Sequence, residues 1–72
     1  MSAITIEMNR KHAQAMRAAC RAATTVAYHQ AHSAFRNGWP RAALMFLNAA
    51  RLHNEDALHY AKLERQFTPR AL

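Results

Sequence analysis

Apolar and polar residues alternate at the start of this chain and then settle into a helical rhythm. Residues 3 to 8 place Ile4, Ile6 and Met8 at every second position, the period of a strand, but no second strand-like run follows to pair with it. An extended arm over residues 1–9 is the expectation. From Arg10 to Arg36 the residues favour helix with no proline or glycine, and Asn9 is placed to cap the start. The β-branched group Thr24-Thr25-Val26 is the weak point, where this helix is expected to bend or divide.

At about 100° per residue, Ala13, Met16, Cys20, Ala23, Ala27, Ala31 and Ala34 fall along one side of the helix. A seam of such small side chains admits a close neighbour, with Leu44, Phe46 and Leu47 expected to fill the gaps. The opposite side is read as a polar and basic stripe of Arg10, Gln14, Arg17, Arg21, Tyr28, His32 and Arg36.

Asn37-Gly38-Trp39-Pro40 holds the only glycine, the only tryptophan and one of two prolines. Glycine tolerates the left-handed backbone that ends a helix, and proline suits the first turn of the next. A second helix is expected from Pro40 to about His53, apolar on nearly every side, with Arg41, Asn48 and Arg51 as a thin exposed line. Asn54-Glu55-Asp56 then offers an N-cap and an acidic first turn, which predicts a third helix running to Phe67, ahead of Thr68-Pro69. The pattern predicts an all-α chain: a small helical hairpin plus a third helix, forming a three-helix bundle over residues 10–67. The extended N-terminal arm precedes it, and residues 68–72 follow as a flexible tail. Trp39 is placed to plug the hairpin junction or to stand out as an interface anchor.

Around the turn, Ala31 precedes Gly38, Ala43 follows it by five residues and Ala50 follows Ala43 by seven. Over residues 24–54 this spacing resembles a single tetratricopeptide-type helical hairpin. The resemblance implies that these alanines lie where the paired helices cross, that Phe46 and Leu47 fill the gaps, and that the third helix sits like the capping helix of such arrays. One hairpin does not make the concave multi-repeat groove of that family, so the resemblance implies packing geometry and says little about a ligand.

Composition narrows the function classes. Hydrophobic residues are 51% of the 72, but many are alanine, so the core must be thin and closely packed. A lone cysteine, Cys20, makes no internal disulfide and points to a reducing compartment, hence a cytoplasmic expectation. The first residues lack the features of a signal peptide, and no apolar run approaches a membrane span. The only acidic residues are Glu7, Glu55, Asp56 and Glu64, which argues against a paired-carboxylate catalytic site. Cys20 lies between Arg17 and Arg21 but on the alanine seam, where it reads as a small filler. His29 and His32 are one helical turn apart, but a zinc site needs further ligands, so they read as a solvated pair, or as a mild pH-dependent addition to the basic stripe, rather than a metal site. No catalytic, cofactor or metal residues are assigned, and an enzyme is not expected.

Ten Lys+Arg against four Asp+Glu give a formal charge of +6. Within a helix bounded at residues 10 and 36, Arg10, Arg17, Arg21 and Arg36 find no Asp or Glu on their own helix. An ordinary solvated face is one reading of that stripe; a surface that meets an acidic partner is the other. In size, charge and absence of catalytic groups the chain resembles the small basic proteins that bacteriophages make to bind host machinery, including regulators of host RNA polymerase. That resemblance implies a non-enzymatic regulator or inhibitor of transcription, docking on an acidic protein surface or nucleoprotein complex. The partner-binding residues are then Ile4, Ile6, Arg10, Lys11, Arg17, Arg21, Tyr28, His32 and Arg36. Two alternatives stand beside it. The arginines bind nucleic acid directly, or the apolar second helix pairs with its copy in a structural oligomer.

Overall fold

The computed structural model describes residues 2–68. Helix α1 (Ala3–Arg36) and helix α2 (Pro40–Phe67) form an all-α antiparallel hairpin. The molecule measures 54 × 17 × 16 Å, and 34 residues at the helical rise of about 1.5 Å already span about 51 Å, so α1 alone sets its length. Two helices, not three, account for the described residues. The expected three-helix bundle is therefore incorrect.

The expected third helix is the second half of α2, because nothing stops α2 at Asn54. No glycine or proline lies between residues 41 and 67. Glu55, expected in a first turn, sits inside the helix and pairs with Arg51 one turn earlier at 3.0 Å, while Arg51 also donates to the Asn48 side chain at 3.0 Å. The expected N-terminal arm is likewise helical from Ala3. Ser2 caps the start, its hydroxyl accepting from the Thr5 N–H at 3.2 Å, and Asn9 lies within the helix. A lone alternating segment has no strand to satisfy its backbone, whereas a capped helix satisfies most of it internally. Nor does α1 divide at Thr24-Thr25. Their hydroxyls donate to the carbonyls of Cys20 and Arg21 at 2.9 and 3.2 Å, and the helix runs through. Of the expected tail, Thr68 donates its hydroxyl to the Glu64 carbonyl, and residues 69–72 lie outside the described part.

The turn is tight. Gly38 adopts a φ of +74°, its N–H bonding the Phe35 carbonyl at 3.1 Å, and the Trp39 N–H bonds the Ala34 carbonyl at 2.8 Å. These two bonds make a Schellman cap on α1. Pro40 occupies the first turn of α2, where its missing N–H is no loss.

Among the described residues every buried side chain is alanine: Ala13, Ala27, Ala31 and Ala34 from α1 meet Ala43, Ala50 and Ala57 from α2. Ala13, Cys20, Ala27 and Ala34 recur at steps of seven, as do Ala43, Ala50 and Ala57. Two heptad seams of methyl groups become fully covered only when the helix backbones approach closely, so no large side chain is needed or admitted at the centre. Phe46 and Leu47 are half-buried beside the seam, but Leu44, expected to fill it, stands exposed.

Candidate functional site

Because the seam consists of alanine, the larger apolar side chains are displaced to its flanks and outer faces. On α1, Arg21, Tyr28 and Phe35 follow one another at steps of seven and share one stripe; on α2, Leu44, Arg51 and Leu58 do the same. All six are exposed. The two stripes border the same side of the hairpin, since Arg17 and Arg21 of α1 line one depression with Asn54, Ala57, Leu58 and Ala61 of α2. That depression holds about 220 Å³ and opens to solvent. By the step of seven, the same two stripes continue toward the turn to Phe35, 53% exposed, and Leu44, 61% exposed.

The electrostatics of the groove are lopsided. Arg17 reaches Glu64 across the helices at 3.2 Å. Arg10 pairs with Glu7 on the preceding turn of α1, its Nε donating to Glu7 Oε2 at 3.0 Å. The hydrogen bond from Arg10 holds the Glu7 carboxyl below the usual carboxylate range; desolvation opposes it, and the charges of Arg10 and Lys11 add to the lowering. The same bond raises the Arg10 guanidinium. Arg10 and Arg17 therefore do have carboxylate partners: α1 begins early enough to include Glu7, and α2 continues far enough to bring up Glu64. With Glu55 on Arg51, three of the four acidic residues are engaged. Among the described residues Arg21 has no carboxylate within ion-pair distance.

The nine residues expected to bind a partner do not form one stripe opposite the seam. Arg10 and Arg17, seven apart and half-buried, flank the seam itself. Ile4, Lys11 and His32 fall at multiples of seven on the outer face of α1, and Arg36 on the neighbouring outer line. Ile4 is 73% exposed, and Ile6 is half-buried. The structure brings together Arg17, Arg21 and Tyr28 along the groove. Sequence reasoning missed Phe35, Asn54 and Leu58 there; the step of seven from Arg21 through Tyr28 to Phe35 was the available signal. No protein-family model, no curated protein and no solved structure matches this chain.

Trp39 is exposed yet borders a second shallow hollow with Gln30, Ser33, Ala34 and Phe46, so its ring lies against the junction without being enclosed by it. His29 and His32 are both exposed. Among the described residues no group of three or more His, Cys, Asp or Glu is arranged to hold a metal ion. Among these residues, too, no helix is long and apolar enough to cross a membrane.

Proposed function

We propose that this chain is a small non-enzymatic regulatory protein that docks on a large acidic protein or nucleoprotein assembly. One observation carries the reading: among the described residues the hairpin encloses only alanine and leaves Phe35, Leu44 and Leu58 exposed beside an arginine without a carboxylate partner. Apolar side chains displaced to a cationic surface gain most from a partner that covers them and supplies negative charge. RNA polymerase is the assembly to test first, on the strength of the size and charge resemblance to phage-encoded regulators. Tagged protein is incubated with nuclease-treated bacterial lysate and with purified polymerase at physiological salt. Specific retention of a protein partner is expected; loss of every protein partner at moderate salt refutes the reading.

A second reading, association with a second copy, draws on the same lack of a large buried side chain among the described residues. Sedimentation at two concentrations distinguishes it, since a monomer at both removes it. Direct nucleic-acid binding through the arginines would show instead as tight binding to random duplex DNA with a steep salt slope.

A further inference from the structure

The groove between the helices has two chemically different ends. Toward the turn its two bordering stripes end in Phe35 and Leu44; farther along, Arg17, Arg21, Asn54, Ala57, Leu58 and Ala61 line a depression. We infer that this groove takes an acidic amphipathic helix of a protein partner, whose apolar stripe covers Phe35, Leu44 and Leu58 and whose carboxylate enters the depression beside Arg17 and Arg21. The inference rests on the docking reading above and adds the surface and the chemistry of its occupant.

Spacing favours a helix. The apolar residues on both borders belong to lines that repeat every seven residues, the step at which a third helix presents its own apolar stripe to a pair. Charge favours an acidic one. Arg21 has no carboxylate partner among the described residues, and a guanidinium beside an amide offers several donors to one incoming carboxylate. A second copy fits this face poorly. A second copy brings Arg17, Arg21 and Arg51 of its own to this face and little free negative charge, since Glu55 and Glu64 are already engaged. Duplex nucleic acid would satisfy the arginines but would place phosphates against Phe35, Leu44 and Leu58, where they gain nothing from apolar surface.

The test titrates the full chain into two labelled synthetic peptides of about three heptads, read by fluorescence anisotropy. One carries leucine at the seam positions and glutamate elsewhere; the other has the same composition in scrambled order. The amphipathic peptide is expected to bind, and Arg21→Glu and Leu58→Ser are each expected to weaken it at least about tenfold. His29→Ala, on the outer face, should leave it unchanged. Both groove positions are exposed, and circular dichroism confirms that each variant keeps its helix content. Equal affinity for the scrambled peptide, indifference to both groove substitutions, or no binding of the amphipathic peptide would each overturn the inference. Preference for random duplex DNA over that peptide would overturn it too. A captured partner insensitive to both groove substitutions removes this groove and leaves the docking reading standing, whereas failure to capture any partner removes the docking reading itself.

Discussion

The Arg17 guanidinium lies 3.2 Å from the Glu64 carboxylate across the hairpin, where the α2 heptad of Ala43, Ala50 and Ala57 reaches a charged residue in place of a fourth alanine. Glu64 is the more enclosed partner, its side chain 17% exposed against 36% for Arg17, and its buried Oε2 accepts no well-aligned hydrogen bond. The attraction is ionic and unequal in its consequences. Arg17→Ala strands an enclosed carboxylate and should destabilise by about 1–3 kcal/mol. Glu64→Ala frees an arginine that can turn to water and extends the alanine seam, so it should stay within about 1 kcal/mol of the parent. Urea denaturation of the two variants checks the asymmetry; equal losses would contradict it.

Continuity of α2 through Asn54 has a direct chemical test. If a helix began at Asn54, proline at position 55 would occupy its first turn and be harmless. Inside a continuous α2, Glu55→Pro removes a backbone hydrogen bond and crowds the preceding turn, which should destabilise by about 3 kcal/mol. A thermal melt of that variant decides between the two.

At the turn, a methyl group added to Gly38 would meet nothing within 4 Å, so the φ of +74° is the sole obstacle to substitution. Gly38→Ala should therefore destabilise by about 1–2 kcal/mol through backbone strain alone, and Gly38→Asn by less, because asparagine tolerates the left-handed region better. Denaturation midpoints of the two variants, compared under one condition, would expose an inverted order.

Acid should loosen the beginning of α1 before the rest. The Glu7 carboxyl titrates below its ordinary value when folded, so its pairing with Arg10 contributes fully above that ordinary value and is lost as pH falls through the lowered one. Protection against amide exchange in the first turns of α1, taken relative to the intrinsic rate at each pH, should fall across that acidic window, and Glu7→Gln should abolish this pH dependence locally. Unchanged protection at Ile6 and Met8 across the window would count against the pairing.

Much of the hairpin was legible from local chemistry. The Gly38-Trp39-Pro40 turn, the helical run ending at Arg36 and the alanine seam follow from backbone sterics and a repeat that any neighbouring helix must respect. The candidate groove was less so. Arg17 and Arg21 were singled out, but as part of a stripe opposite the seam, because a straight count of 100° per residue does not say how far around the helix its neighbour reaches.

By itself the sequence determined the helical state, the place of the turn, the excess of positive charge and the small side chains available for close packing. It misplaced where the helices begin and end, because Asn9 is as acceptable a cap as Ser2 and Asn54-Glu55-Asp56 reads locally as a helix start. Only the tertiary structure decided these points. Alignment of Ala57 and Glu64 with the α1 seam holds α2 in one piece past Asn54, and that continuation carries Glu64 to Arg17, makes Leu58 a border of the groove and leaves Arg21 without a carboxylate partner among the described residues. Charge compensation between segments distant in the chain is set by packing, and no local pattern of residues encodes it.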